Sequence, residues 1–512
     1  MQSAIGQLVR EAAIRFGDKT ALIHEGRRWT FRSLDQASDN LAASLQELGV
    51  DVGDRVSVYA PNSAEWIISY YAVLKIGGVV NPLNLMLTPQ EAAFAMNDCG
   101  AVAVFGTVEK IASLAAVREQ TKLRHLIAFG PLAADEESPA EVLDFDRLVA
   151  HGAGLRVRTP EIDSTSLSTI GYTSGTTGHP KGAMLSHQCI LLNTAMTATM
   201  HMRGEDDVVV SALPCSHVYG NIVMNAAIGY GMTLVLHRTF DAAAVLDSIE
   251  THRATMFEGV PTMYMYLLGQ PDLAKRDLSS LTRCTVGGQT IPLAKMQQVE
   301  AALNCPLIEL WGMTELGGLG ATHAVYGPRK LGSIGVALPH MQARIAASDE
   351  PDRELPNGEV GELQMRGPLN MLGYFNRPEA TTETLIGGGW LRTGDLAKMD
   401  QDGHITVVDR LKDMIITAGF NIYPAELERA IAEHPDVAMV AVGSVPDPDK
   451  GELAKAYIVL KPMAKADASD FDRHCRGRLA AYKVPRAFAF VPDLPKTSSG
   501  KIMRRLLRDL DA

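Results

Sequence analysis

The chain has 512 residues, enough for more than one domain, and its 46% of apolar residues can form a large core. It carries 48 basic and 59 acidic residues, a formal net charge of -11, which argues against general binding to nucleic acid or anionic membranes. The 6 cysteines are scattered without a C-x-x-C pair, so we expect reduced thiols in a cytoplasmic protein rather than a disulfide framework or a zinc site.

Alternating strands and helices are predicted through most of the chain. Residues 1–17 predict an amphipathic helix that is too polar for a signal peptide. The segment "DRVSVYAPN" (54–62) predicts a strand, and "SAEWIISYYAVLKIGG" (63–78) predicts a helix capped by Ser63 and ended by two glycines. The same order repeats up to "AVAVFG" (101–106), which is typical of doubly wound α/β layers.

One apolar run, residues 221–236, raises the question of a membrane span. It is short and is broken by Gly229 and Gly231, so a buried helix followed by a buried strand is favoured. We therefore expect no stable membrane insertion.

The pattern changes near residue 390, where two strands joined by "DQDG" predict a β-rich part. A helix that begins near Pro424 and a further strand follow, which is enough for a small α+β domain. The segment "KIMRRLLRDL" (501–510) predicts a basic helix with a mostly solvated face. We expect an α/β protein with an N-terminal domain over 1–410 and a C-terminal domain over 411–512, while one continuous domain remains open.

The stretch "GYTSGTTGHPKG" (171–182) is rich in glycine and hydroxyl side chains and carries Lys181 near its end. The backbone N–H groups of such a turn form a nest for anions, and the lysine adds a positive charge. The stretch therefore predicts a triphosphate-binding loop. It is not a Walker A loop, because Gly182 stands where a hydroxyl residue would follow the lysine. Taken alone, it could also be a flexible linker.

Four further segments carry a resemblance to a known family. They are "LPCSHVYG" (213–220), "LWGMTE" (310–315), "WLRTGDLAKMDQDGHITVVDRLKDMI" (390–415) and "PKTSSGKI" (495–502). With the glycine-rich loop, and in this order, they resemble the adenylate-forming superfamily, which includes acyl-CoA synthetases, adenylation domains of peptide synthetases and beetle luciferases. The resemblance covers nearly the whole chain. It implies an enzyme that makes an acyl-adenylate from a carboxylic acid and ATP, then transfers the acyl group to a thiol.

The resemblance also implies a role for each matched residue. Lys501 and His217 are expected beside the carboxylate and the α-phosphate. Thr314 is expected to bond the α-phosphate, and Glu315 to hold Mg²⁺. The other implied positions are the phosphate loop (Thr173, Ser174, Gly175, Thr176, Thr177, Gly178, Lys181), the adenine site (Gly288, Gln289, Thr290, Glu309, Leu310, Trp311), the ribose site (Asp395, Arg410), the hinge of a mobile C-terminal domain (Lys412) and the coenzyme A tunnel (Gly419). The family often has tyrosine at the position of Trp311, and either ring can stack on a base.

The acid pocket implied by the resemblance is lined by Tyr219, Val223, Gly312, Gly318 and Leu319. Its glycines and aliphatic side chains favour a medium- or long-chain fatty, alicyclic or aromatic acid over an amino acid. A dicarboxylic acid would need a cation, for which Arg238 and Arg283 are near in sequence.

Free coenzyme A is the expected thiol, because the sequence ends soon after Lys501 and leaves no room for a carrier domain. An enzyme that loads a separate carrier protein, a luciferase-like oxygenase and a non-catalytic nucleotide-binding scaffold remain alternatives. A homodimer also remains open.

Overall fold

The computed structural model describes residues 4–130, 142–173, 180–417, 420–448, 450–497 and 502–511. The α-helices of these residues are α1 (Gly6–Phe16), α2 (Phe31–Glu47), α3 (Ala64–Lys75), α4 (Pro89–Cys99), α5 (Val108–Leu114), α6 (Phe145–His151), α7 (His187–Met200), α8 (Val218–Gly229), α9 (Ala242–Thr251), α10 (Pro261–Leu268), α11 (Leu293–Leu303), α12 (Pro378–Thr384), α13 (Pro424–Ala432) and α14 (Ala468–Arg476).

The strands are β1 (Thr20–His24), β2 (Arg27–Thr30), β3 (Arg55–Tyr59), β4 (Val79–Pro82), β5 (Ala101–Thr107), β6 (His125–Phe129), β7 (Val142–Asp144), β8 (Leu167–Thr173), β9 (Lys181–Ser186), β10 (Val208–Ser211), β11 (Thr233–Leu236), β12 (Met256–Gly259), β13 (Arg283–Val286), β14 (Leu307–Met313), β15 (Gly318–Thr322), β16 (Val336–Ala337), β17 (Gln342–Ala346), β18 (Gly361–Arg366), β19 (Gly373–Tyr374), β20 (Leu385–Ile386), β21 (Trp390–Met399), β22 (Ile405–Arg410), β23 (Ile415–Thr417), β24 (Phe420–Ile422), β25 (Val437–Asp447), β26 (Gly451–Leu460) and β27 (Ala487–Phe490).

Two large sheets with parallel centres form most of the molecule. One has the strand order β16-β15-β14-β13-β12-β10-β11-β1-β2, and the other has the order β19-β9-β8-β4-β3-β5-β6-β7. Strands β10 to β14 pair in parallel, so the carboxyl ends of β10, β12, β13 and β14 lie along one edge. Ligands of such α/β sheets bind beyond these carboxyl ends. This edge therefore organises the candidate site.

Two smaller sheets follow along the chain. Strands β17, β18, β21, β20 and β22 form an antiparallel sheet, and β23 to β27 form another with α13 and α14 packed beside it. The last sheet has its own apolar core, which begins at Ile415 and includes Leu427 and Phe471. The fold is thus a large N-terminal α/β domain with a β-rich part, followed by a small α+β domain, as the sequence predicts.

Local capping explains why the predicted helices form where they do. Ser63 Oγ accepts the N–H of Trp66 at the start of α3, and Gly77 adopts a φ of 77° just after its end. The apolar run 221–236 forms the end of α8 and then β11, as predicted. No α-helix within the described ranges is long and apolar enough to cross a membrane.

The C-terminal segment differs from its prediction. Residues Arg504–Asp511 form a 3₁₀ helix rather than an α-helix, and Leu507 is buried. Arg504 does not face solvent, because it binds carboxylates of the preceding segments. Sequence periodicity reports a solvated face, but it cannot show which charged side chain finds a buried partner.

Candidate nucleotide and acid site

The loop after β13 packs tightly against β14. A Cβ added to Gly287 would overlap Leu310 Cδ1, and Gly288 has a φ of 88° that favours glycine. Because the loop has no side chain at these two positions, Gly288, Gln289 and Thr290 lie next to the strand that carries Glu309, Leu310 and Trp311. The structure brings together the residues predicted to contact adenine.

Glu309 is a buried carboxyl group in this edge. Its Oε2 has no hydrogen-bond partner among the described residues. Burial raises the pKa of Glu309 to about 8, and the nearby Arg429 of α13 acts in the opposite direction. Glu309 is therefore mostly protonated near neutral pH, so that it can donate as well as accept a hydrogen bond.

Trp311, Asp395 and Arg410 form one cluster. The indole Nε1 of Trp311 donates to Asp395 Oδ2 at 2.7 Å, and Arg410 Nε lies 3.1 Å from Asp395 Oδ1. Asp395 and Arg410 are direct partners across the β21–β22 ladder. An ionised carboxylate has about four acceptor positions, so Asp395 keeps capacity for two hydroxyl groups.

Thr314 and Glu315 begin a 3₁₀ turn directly after β14. A Cβ on Gly171 of β8 would come within 2.8 Å of Thr314 Cγ2, so the two large sheets meet here. Glu315 is buried, and its Oε1 accepts a 2.7 Å hydrogen bond from the hydroxyl of Tyr374. Burial raises the pKa of Tyr374, and the nearby carboxylate of Glu315 raises it further.

Lys181 joins this group from the glycine-rich loop. It pairs with Thr173 across the β8–β9 hairpin, and its Nζ lies 5.4 Å from the centroid of the Tyr374 ring. Tyr374 thus contacts both Glu315 and Lys181. Ser174, Gly175, Thr176, Thr177 and Gly178 lie outside the described residues. Sequence reasoning missed Tyr374, because no spacing signal in "GYFN" connects it to Glu315, which is 59 positions away.

His217 caps α8 at the mouth of the predicted acid pocket. Its Nδ1 accepts the backbone N–H of Tyr219 at 3.2 Å. A neutral histidine that accepts at Nδ1 carries its proton at Nε2. The cap therefore fixes both the ring orientation and the tautomer of His217.

The predicted acid pocket lies between α8 and the β14–β15 hairpin. Tyr219, Val223 and Leu319 are buried there. Gly312 pairs with Leu319 across the hairpin, and a Cβ on Gly312 would come within 2.0 Å of Gly318 O. A Cβ on Gly318, whose φ is 149°, would come within 2.6 Å of Ile222 Cγ1. The two glycines let the hairpin backbone pack closely on itself and on α8 beside these mainly apolar side chains.

A buried polar network lies behind Tyr219. The Tyr219 hydroxyl is 2.6 Å from Thr285 Oγ1, which donates to Glu258 at 3.0 Å. Glu258 in turn pairs with Arg203 at 2.7 Å, and both side chains are buried. The network closes this end of the pocket with groups that already have partners.

The two arginines considered for a second substrate carboxylate are not available in this pocket. Arg283 pairs with Asp207 at 2.6 Å and donates to the backbone carbonyls of His201 and Met202. Arg238 lines a separate crevice of about 350 Å³ that also contains Trp29.

The remaining predicted positions belong to the small domain and its connection. Lys412 is exposed within the 3₁₀ turn Leu411–Asp413. Gly419 and Lys501 lie outside the described residues. All 6 cysteines, each in a described range, are buried and free of disulfides, as predicted.

The site and fold define an enzyme class that binds a nucleotide and a carboxylic acid side by side. The profile described as "AMP-binding enzyme" matches residues 9–375, and that described as "AMP-binding enzyme C-terminal domain" matches residues 426–501. The chain belongs to this family of adenylate-forming enzymes and is of the acyl-CoA synthetase type. Enzymes of this type are acid–CoA ligases that proceed through an acyl-adenylate.

Two curated relatives illustrate the range of acids. A "Long-chain-fatty-acid--CoA ligase" of Bacillus subtilis (strain 168) is 37% identical over 98% of this chain and 93% of its own length. A "Feruloyl-CoA synthase" of Amycolatopsis sp is 36% identical over 96% of this chain and 95% of its own length.

Solved structures give the same fold. The anthranilate CoA ligase AuaEII in complex with anthranoyl-AMP superposes with a TM-score of 0.91 at 27% identity, covering 99% of this chain and 97% of that one. ATP-bound MatB from Rhodopseudomonas palustris gives 0.89 at 30% identity, with coverage of 99% and 98%, whereas apo MatB gives 0.79 with the same identity and coverage.

Proposed function

We propose that this acid–CoA ligase uses a fatty, alicyclic or aromatic monocarboxylic acid. It joins the acid to AMP with release of pyrophosphate, then replaces AMP by the thiol of coenzyme A. The two domains, with a boundary between residues 410 and 411, have different roles. Residues 1–410 bind ATP and the acid, and residues 411–512 move between the two steps in a cytoplasmic enzyme.

The observation that carries the proposal is the cluster at the carboxyl end of β14. Trp311 follows Leu310, the residue packed against the Gly287–Gly288 loop, and its indole donates to Asp395, which pairs with Arg410. An indole face next to a carboxylate with spare acceptor positions suits an adenosine, with the base on the ring and the ribose hydroxyls on the carboxylate. Glu309 would serve the edge of the base.

The phosphate side of the nucleotide would lie between Lys181 and Glu315. Glu315 uses one oxygen for Tyr374 and has a second for a hard cation, so the residues fit Mg²⁺ held by one carboxylate and phosphate oxygens. Mg²⁺ would neutralise charge on the pyrophosphate, while Lys181 and the loop hold the outer phosphates.

His217 and Thr314 would orient the reacting groups. The tautomer set by the α8 cap turns His217 Nε2 into a donor for an oxygen of the acid or the α-phosphate. Lys501 would approach from the small domain and stabilise the charge that develops during adenylation. Lys412 would serve as the hinge, and Gly419 would border the pantetheine after rotation.

The pocket supports the choice of acid. Tyr219, Val223 and Leu319 offer apolar contact to a chain or ring, next to Gly312 and Gly318. Arg283 and Arg203 already bind Asp207 and Glu258, so a second substrate carboxylate would be desolvated without a partner. We therefore expect dicarboxylates to be poor substrates.

A mass-spectrometric assay tests the proposal. The purified enzyme is given ATP and Mg²⁺ with butyrate, decanoate, palmitate, cyclohexanecarboxylate, benzoate or succinate, with and without coenzyme A. We expect acyl-CoA from at least one apolar acid and little from succinate. An adenylate that coenzyme A does not discharge would indicate a carrier-loading enzyme, and absence of any adenylate would overturn the proposal.

A further inference from the structure

Arg504 is surrounded by three carboxylates. Its Nε and Nη2 bind both oxygens of Glu428 at 3.1 and 2.7 Å, and its Nη1 lies 3.1 Å from Asp409 and 3.2 Å from Asp413. All three partners are well removed from it in sequence, the nearest by 76 residues. A planar guanidinium is suited to such simultaneous contacts, whereas an ammonium group is not.

These partners lie on both sides of the proposed hinge. Asp409 belongs to β22, which pairs with β21 of the large domain, and Asp413 ends the hinge turn Leu411–Asp413. Glu428 lies on α13 of the small domain, and Asp409 also accepts the N–H of Ala425 at 2.7 Å. The contact between Arg504 and Asp409 therefore crosses the hinge, whereas the contact with Glu428 stays within one domain.

Arg504 is also close in sequence to Lys501. The residue after Lys501, Ile502, forms a bridge with Lys496, and the N–H of Met503 donates to Pro495 O at 2.8 Å. Residues 495–496 and 502–503 are thereby held together. A contact that fixes Arg504 therefore also constrains the backbone at Ile502, the residue that follows Lys501 in the sequence.

The burial of the partners makes the arginine important. The Asp409 side chain is 1% exposed and that of Glu428 is 16% exposed. Burial raises the pKa of both carboxyls, and the charge of Arg504 acts in the opposite direction. Without Arg504, the C-terminal segment would lose its ion pairs with β22 and α13, and the buried carboxylates would lose their cation.

We propose that Arg504 is a positioning residue for adenylation: it ties the Lys501-bearing segment to the hinge in the domain orientation seen here. The inference rests on the proposed function of Lys501. Over the whole chain the TM-score is 0.89 with ATP-bound MatB and 0.79 with apo MatB. Because the contact between Arg504 and Asp409 joins the two domains, it should stabilise this orientation of the small domain and not every orientation.

The test separates the two half-reactions. The acid is the one that the unchanged enzyme uses fastest in the panel above, and its adenylate is made by chemical synthesis. Arg504→Ala is expected to slow acyl-AMP formation from acid and ATP by about tenfold or more, since charge-assisted hydrogen bonds are lost. Conversion of supplied acyl-AMP and coenzyme A to acyl-CoA is expected to stay within about twofold.

Three variants complete the design. Arg508→Ala is the matched control, because Arg508 lies in the same 3₁₀ helix and its guanidinium donates to Ser444 within the small domain, so both half-reactions should persist. Arg504→Lys should recover part of the adenylation rate. Asp409→Asn, which removes the charge across the hinge but leaves Glu428 paired, should show the same selective loss, and it decides the question if Arg504→Ala does not fold.

An equal loss in both half-reactions, or no loss in either, would overturn the positioning role. Failure of the unchanged enzyme to make any adenylate would instead overturn the proposed function. The two failures are distinguishable because the second is seen without any substitution.

Discussion

The indole of Trp311 combines a flat face with a donor that points at Asp395. A tyrosine at this position would offer a ring but not a ring N–H. The wider indole fits because Gly320 stands opposite, where a Cβ would come within 2.6 Å of Trp311 Cζ3. This residue choice makes the orientation of Asp395 dependent on Trp311.

Trp311→Phe should therefore weaken ATP use while it keeps an aromatic face. Loss of a hydrogen bond to a buried charged group predicts a rise of about tenfold or more in KM for ATP. Steady-state kinetics with saturating acid measures it. Trp390→Phe is the control, since Trp390 lies under Arg344 and Arg366 on another face, and its KM should not change. An unchanged KM in Trp311→Phe would exclude this role.

The raised pKa of Glu309 predicts that the free energy of unfolding of the protein depends on pH. Its pKa rises from the ordinary 4.5 to about 8 on folding, so it favours the folded state at low pH, and this contribution is lost as the pH rises from 4.5 to 8. Glu309→Gln removes the titration. The free energy of unfolding of the variant, relative to the unchanged protein, should increase with pH by up to about 1.4 kcal/mol per pH unit in this range.

Urea unfolding between pH 5 and pH 8 measures this difference, which should be near its maximum slope around neutral pH. Glu359→Gln, at an exposed position, is the control and should follow the unchanged protein. Parallel curves for Glu309→Gln and the unchanged protein would show that Glu309 is ionised in the fold.

At the scale of elements, the sequence predicts the positions of strands and helices better than it predicts the side-chain contacts between distant elements. Ser63 and Gly77 mark α3 at both ends, because capping is a local effect. The contact of Tyr374 with Glu315 and that of Arg504 with Asp409 depend on how distant strands and loops pack. No local sequence pattern encodes such contacts. The motifs therefore predict the residues of the candidate site, whereas supporting residues such as Tyr374 and Arg504 can be found only from the structure.

The β8–β9 hairpin carries the next prediction. Lys181 begins β9 next to Glu315, and Lys181→Ala should raise KM for ATP by about tenfold to a hundredfold because one charge facing the phosphates is lost. Its melting temperature should stay the same. Lys110→Ala is the matched control, since Lys110 also lies on a tyrosine ring, at 4.3 Å from the centroid of Tyr59, but outside the site.

The control should give the reverse result. Lys110 donates to Tyr59 and to Leu85 O, so Lys110→Ala should lower the melting temperature and leave KM unchanged. If Lys181→Ala lowers the melting temperature and keeps KM, Lys181 is a structural residue and the phosphate-loop proposal is wrong.

At the scale of the whole molecule, two lysines connect the large and small domains. Lys496 Nζ lies 3.0 Å from the hydroxyl of Tyr266 on α10, and Lys295 Nζ lies 3.3 Å from Val437 O. Lys295 is buried, and burial lowers its pKa. These few polar contacts are typical of an interface that can separate and form again.

A reversible link across this interface should divide the reaction into its two steps. All 6 native cysteines are buried, so a flexible bis-thiosulfonate reagent should label a Tyr266→Cys, Lys496→Cys double variant selectively. The linked enzyme should still form its acyl-adenylate, because the link holds the orientation that we propose for adenylation, but it should make no acyl-CoA until a reductant cuts the linker. Each single variant with the same reagent should complete both steps. Full acyl-CoA formation by the linked enzyme would show that the small domain does not need to rotate, since the link holds the domains together at a contact that rotation must break.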